Sequence, residues 1–212
     1  VAIARRLRPL GHDVTVHVAA RMVRGPAHLD ELLDGMGQAE ADLFLIGGDA
    51  TPPQGPWPSA VYILTVVSEH PQRPPEIGIA GYPEGHPLID SGTLADVLEQ
   101  KSAVAGYITT QLCFDPEALL AWLRDTRERG VTLPVVVGLP GVVGRRRLLE
   151  MVARERLVGD DVLRVTSQGG KIGSQFQAKG KEAATAGVMV AERGGLGVCL
   201  TSSNEALPSR PP

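Results

Sequence analysis

Five short apolar runs recur along the chain: VTVHVAA (14–20), DLFLIGG (42–48), EIGIAGY (76–82), GYITTQL (106–112) and PVVVGLP (134–140). Successive runs start roughly 30 residues apart, the length of one strand plus one helix. The segments between them carry helical spacing or helix punctuation. Residues 26–36 start at a proline, and 91–104 has helical spacing. Residues 115–130 run from Asp115 and Pro116 to Gly130, an N-cap, a first-turn proline and a terminating glycine. Residues 59–70 are apolar throughout, and their length and position favour a helix. The opening VAIARRLRPLG reads as an amphipathic helix closed by Gly11, and RRRLLEMVARERL (145–157) as another. Continuous apolar strands alternating with helices predict a parallel sheet covered on its outer side. A doubly wound sheet and a (β/α)8 barrel both satisfy this pattern.

The chain has 212 residues, enough for one domain with a sizeable core. A net charge of -3 gives no reason to expect nucleic acid or an anionic membrane as partner. No apolar run approaches the ~18 residues of a membrane span, and no signal peptide is recognisable. Cys113 and Cys199 form no CxxC pair, which argues against a disulfide scaffold or zinc site and suits a reducing cytoplasm. No His/Cys spacing suggests a metal.

Polar residues collect where the strands end. Asp49 follows LFLIGG, Gln111 closes GYITTQ, and Tyr82, Glu84 and His86 follow EIGIA in the stretch AGYPEGHP. A plain connector needs the glycines and prolines of that stretch, but not its three polar side chains. In a parallel barrel all strand carboxyl ends share one mouth, where active sites are built. Each residue alone also has a structural reading: Asp49 and Asp115 as helix caps, His86 as a turn residue. Three strands delivering polar groups to one face favour a pocket. Met36, Met151, Met189, Trp57 and Trp122 read as packing residues.

After about residue 158 the pattern decays. Residues 158–195, rich in Gly, Gln and Lys, read as a divergent lid or linker; 196–212 read as a last strand and a disordered tail. GLPGVVGRRR (138–147) places three glycines between a strand and a helix but is not GxGxxG, and no acidic residue is placed for a ribose.

LIGGDATPP, AGYPEGHP, the lysine ahead of YITTQLCFD, and LPVVVGLPG follow one another in an order and spacing that resembles the methylenetetrahydrofolate reductase family. The resemblance covers roughly residues 12–157 and is carried most specifically by AGYPEGHP and ITTQLCFD. Within the family, the chain is most similar to divergent actinobacterial reductases described as lacking flavin. The resemblance implies a (β/α)8 barrel spanning residues 1–157 in part. It implies reduction of 5,10-methylenetetrahydrofolate to 5-methyltetrahydrofolate with NAD(P)H, usually through FAD, in one-carbon metabolism. A small-molecule folate is the implied partner and the cytoplasm the implied location. Asp49 falls on the aspartate that approaches pterin and flavin, after Gly48, and Gln111 on the glutamine that binds the folate. His17, Tyr82 and His86 fall on flavin-contacting positions, and Lys101 on a lysine near the flavin ribityl or phosphate. Asn204 resembles the asparagine after the last barrel strand.

Two departures qualify that expectation. The family arginine two places before the aspartate is Gly47 here, and Val97 and Gln100 stand where flavin enzymes often carry Asn and Arg. Partners for flavin phosphates are thereby lost, which points to weak or absent FAD and a direct hydride from a nicotinamide, while His86 and Lys101 are retained. The family's proton donor is a glutamate on the first barrel strand. This sequence begins near the third, so it is expected to be an N-terminally incomplete barrel without that glutamate. The alternative is a non-catalytic folate- or nucleotide-binding fragment or a decayed homologue.

Overall fold

The structure, a computed structural model, describes residues 1–138 and 188–189. Helix α1 (Ala2–Leu7) continues as a 3-10 turn at Arg8–Leu10 and stops at Gly11, whose φ of 84° is left-handed. There follow β1 (Thr15–Ala19), a 3-10 turn (Ala20–Met22), α2 (Pro26–Gln38), β2 (Asp42–Ile46), α3 (Ala60–Ser68) and β3 (Ile77–Gly81). Then come α4 (Ser91–Ser102), β4 (Tyr107–Leu112), α5 (Pro116–Glu128), β5 (Val135–Gly138) and β6 (Val188–Met189). Every strand and helix expected within residues 1–138 is present. The helix expected at 145–157, the 138–147 glycines beyond Gly138, Asn204 and Cys199 lie outside the described residues. Strand β6 falls within the stretch expected as a lid or linker.

The strands lie in chain order, β1-β2-β3-β4-β5-β6. The pairs β1–β2, β2–β3 and β5–β6 are parallel. A doubly wound sheet reverses its order at a switch point. Here no reversal occurs, and from β1 to β5 each strand leads through a helix to the next position, as in the wall of a (β/α)8 barrel.

Among the described residues the chain forms two compact units: 1–80 with 97–108, and 81–96 with 109 onward. In the first, β2 pairs with β1 in the register His17↔Phe44 and with β3 in the register Phe44↔Gly78. Side chains alternate across a strand, so Leu43, Leu45, Ile77 and Ile79 form one row, at 0–1% exposure. Leu29, Leu33 and Met36 on α2, at helical spacing, and Ile63, Leu64 and Val67 on α3 complete this core. The opposite row runs His17, Phe44, Gly78. Position 78 has to be glycine: a Cβ there would sit 2.3 Å from the Tyr107 ring, which occupies the place of a side chain.

In the second unit, Leu119, Leu120, Leu123 and Thr126 of α5 pack in a core with Cys113, Phe114, Val131 and Val135. Asp115 caps α5 as expected. Its Oδ1 accepts from the backbone N–H of Glu117 (2.8 Å) and Ala118 (3.4 Å). Gly130, at φ 83°, ends the helix, and Arg127 donates to the carbonyls of Val131 (2.6 Å) and Leu133 (3.0 Å), steering the chain into β5. Thr110 ties β4 to β5: its Oγ1 accepts from Gly138 N–H at 2.9 Å and donates to the Gln111 carbonyl at 2.8 Å. Among the described residues no helix is long and apolar enough to cross a membrane.

Candidate functional site

The first unit holds His17, Gly48, Asp49 and Lys101. Asp49 stands three residues beyond Ile46, past the carboxyl end of β2, and is exposed. Gly48 makes the turn that puts it there. Its φ is 83°, and a Cβ would lie 2.8 Å from Ala19 Cβ, so the backbone presses against the end of β1. His17 lies two residues earlier on β1, its ring 4.8 Å from that of Phe44. It keeps solvent access, but partial burial of the ring lowers its pKa and favours the neutral imidazole.

Lys101, on the last turn of α4, is only 6% exposed. Its Nζ donates to the Ala80 carbonyl at 3.5 Å, at the end of β3. Burial pushes its pKa down to about 8, because the ammonium has lost water and gained one long hydrogen bond in exchange.

The second unit brings together Tyr82, His86 and the end of β4. The stretch AGYPEGHP folds as a tight turn, with Gly85 N–H donating to the Tyr82 carbonyl at 3.1 Å and Gly85 at φ 84°. This turn sets the Tyr82 and His86 rings edge to face, centroids 5.3 Å apart at 86°. His86 Nδ1 accepts from Leu88 N–H at 3.2 Å, so the neutral ring carries its proton on Nε2.

Glu84 answers the question raised by the turn. Its Oε1 accepts from the backbone N–H of Phe114 at 2.5 Å and of Asp115 at 2.8 Å. The AGYPEGHP loop is thus tied to the segment that follows Gln111 on β4. Glu84 and Asp115 together take up N–H groups at the start of α5, at Phe114, Asp115, Glu117 and Ala118. A helix start is ordinarily a ready place for a phosphate. This one is occupied by the protein's own carboxylates. Cys113, on the same segment, is buried, and its thiol is pushed up to about 12 by desolvation, against the opposing pull of its hydrogen bond with Thr110.

One residue of consequence went unremarked in the sequence. Arg21, just past β1, bonds to the segment carrying Asp49 through its backbone and its side chain. Its only local signal is a charged residue within two places of a strand end. Among the described residues no group of three or more His, Cys, Asp or Glu side chains could hold a metal.

A family model described as methylenetetrahydrofolate reductase matches residues 45–157, more than half of the 212 residues. The chain is similar to a probable methylenetetrahydrofolate reductase (NADPH) of Caenorhabditis elegans, 41% identical over 71 residues, 32% of this chain and 11% of that protein. It is similar to methylenetetrahydrofolate reductase (NADH) 1 of Zea mays, 34% identical over 86 residues, 35% of this chain and 14% of that protein. It is also similar to methylenetetrahydrofolate reductase 2 of Saccharomyces cerevisiae, 33% identical over 67 residues, 30% of this chain and 11% of that protein. The chain therefore matches between about a tenth and a seventh of the length of these curated relatives. The matched family segment takes in Asp49, Tyr82, His86, Lys101 and Gln111, and on that match the chain belongs to the methylenetetrahydrofolate reductase family.

Proposed function

We propose that this chain reduces 5,10-methylenetetrahydrofolate to 5-methyltetrahydrofolate, taking the hydride directly from NAD(P)H, as in the flavin-free branch its sequence resembles. The observation that carries the reading is the exposed Asp49 carboxylate just past β2, on the far side of a left-handed glycine, where barrel enzymes place their chemistry. Opening the imidazolidine ring breaks the bond between the methylene carbon and N10, which takes a proton from solvent at the exposed strand end, and leaves an iminium at N5 for the hydride to reduce. In this reading the Asp49 carboxylate faces that cation and stabilises it electrostatically. The Gln111 amide donates and accepts at once, which suits the mixed edge of a pterin. A bound nicotinamide supplies the hydride that completes the methyl group. The edge-to-face rings of Tyr82 and His86 offer an aromatic wall against which a flat ligand packs.

The residues fit a flavin poorly. Gly47 replaces the family arginine. The Lys101 ammonium is buried against the Ala80 carbonyl, and the α5 start is filled by Glu84 and Asp115. These observations support a direct hydride donor over FAD. The test is anaerobic oxidation of NADH and NADPH by the purified chain, with the folate present or withheld and with or without FAD. Folate-dependent turnover that ignores FAD is the expected result. Folate binding without turnover under any of these conditions would leave a binding module instead.

A further inference from the structure

Residues 47–58, GGDATPPQGPWP, connect β2 to α3 with no helix or strand among them. Four of the twelve are proline, which donates no backbone hydrogen bond, and three are glycine. Such a segment supplies little order of its own. Within it, the Asp49 carbonyl accepts one bond, from Thr51 Oγ1 at 3.3 Å. Among the described residues, what holds the segment comes from outside it, and largely from one residue.

Arg21 bonds it at its beginning, middle and end. Its N–H donates to the Gly47 carbonyl at 3.0 Å, its carbonyl accepts from Gln54 N–H at 2.8 Å, and its Nε donates to the Pro58 carbonyl at 2.8 Å. The neighbours of Arg21 extend the same seat. Gln54 Nε2 lies 3.5 Å from Met22 Sδ, and Gly55 sits so close to Val23 that a Cβ would come within 2.2 Å of its carbonyl oxygen. Two of the three Arg21 bonds are backbone bonds that any residue keeps. The third depends on the guanidinium, whose rigid plane fixes the direction of the bond in a way a lysine's single mobile head does not.

We propose that Arg21 is a positioning residue for Asp49: through the Pro58 carbonyl its guanidinium closes residues 47–58 onto the end of β1 and so sets where the carboxylate stands. The inference rests on the reductase reading for its kinetic consequence, but not for its structural one. Trp57, next to Pro58, is 7% exposed and reports the closure directly.

The experiment uses the 212-residue chain with Trp122→Phe, leaving Trp57 as the one tryptophan. In that background Arg21→Ala is expected to red-shift Trp57 emission and raise its acrylamide quenching about twofold or more, with far-UV circular dichroism unchanged. A displacement of about 1 Å costs on the order of a hundredfold in rate, so kcat should fall by roughly ten- to a hundredfold while KM for the folate stays within about threefold. Arg21→Lys should fall between, and serves as the folded control if Arg21→Ala does not fold. Coupling is read by a double-mutant cycle with Asp49→Asn, in which the Arg21 effect should shrink to about twofold or less. Unmoved Trp57 emission, or penalties at Arg21 and Asp49 that simply multiply, would overturn the proposal while leaving the reductase reading intact. If the parent chain binds the folate without turnover, the reductase reading fails, and the same cycle on Kd decides the role of Arg21. A chain that neither binds nor turns over sinks the reductase reading, and the Trp57 emission of Arg21→Ala then decides alone whether Arg21 closes the segment that carries Asp49.

Discussion

Glu84 accepts the backbone N–H groups of both Phe114 and Asp115 on one carboxylate oxygen, at 2.5 and 2.8 Å, across 30 residues of sequence. Arg21 does the corresponding thing in the other unit, reaching Pro58 across 37 residues. In each case a charged side chain past one strand anchors the segment past the next, and that next segment carries or follows a folate-facing candidate, Asp49 or Gln111. Removing an acceptor from two part-buried donors costs about 1–3 kcal/mol. Glu84→Ala should therefore lower the urea midpoint at unchanged m-value, whereas Glu84→Gln, which keeps an acceptor oxygen, should lose less. Equal losses would show that the charge, and not the pair of bonds, holds the segment.

Gly48 gives a second prediction. Alanine there needs a left-handed φ of 83° and a Cβ 2.8 Å from Ala19 Cβ, a combination that costs on the order of 1–3 kcal/mol. Relief comes only by moving the backbone that carries Asp49. Gly48→Ala should cut folate-dependent turnover more than it cuts stability, as seen by comparing kcat with the thermal midpoint. Gly37→Ala, on α2 with open space around its Cβ, is the control and should leave both near the parent or raise the midpoint.

The elements were legible because their signals are local. Pro26, Asp115, Pro116, Gly130 and Gly11 punctuate helices at the places where the helices begin and end, and the apolar runs coincide with strands. AGYPEGHP was legible as a stretch with more polar groups than a turn needs. The partners of Glu84 were not, since Phe114 and Asp115 lie on another strand's loop. Gly78 looked like any strand glycine, because the Tyr107 ring that fills its place arrives 29 positions later. Arg21 looked like a surface arginine, because the carbonyl it holds is far along the chain. Lys101 was legible as a cation and not as a buried one: α4 carries few large apolar residues, and only the packing of α4 near the end of β3 hides the ammonium.

Cys113 should be unreactive in the folded chain. Burial pushes its thiol up to about 12, so at pH 8 the thiolate that attacks disulfide reagents is almost absent. In a Cys199→Ser chain, labelling by Ellman's reagent should proceed only as fast as the protein opens, and urea should accelerate it. Rapid stoichiometric labelling at pH 8 without denaturant would show that the β4–α5 segment opens freely, contrary to the Glu84 anchoring.

Lys101 makes stability rise with pH. Its folded pKa of about 8 lies below its ordinary 10.5, so between those values the unfolded chain binds the proton that the folded chain has released. Unfolding free energy therefore increases with pH across that window. Below pH 8 the folded state carries the full cost of a buried ammonium, on the order of 3 kcal/mol for a displacement of this size. That cost fades as pH rises from about 8 towards 10.5. Lys101→Met, which keeps the length of the stem and removes the charge, should stabilise the chain at pH 7 by about 1–3 kcal/mol and abolish the slope. The check is urea denaturation at pH 7, 8, 9 and 10 for parent and variant, with the difference between them closing as pH rises. A difference constant with pH would mean that Lys101 stays charged in the folded protein throughout the window, held by an anion or a carbonyl cluster and not merely tolerated by the core.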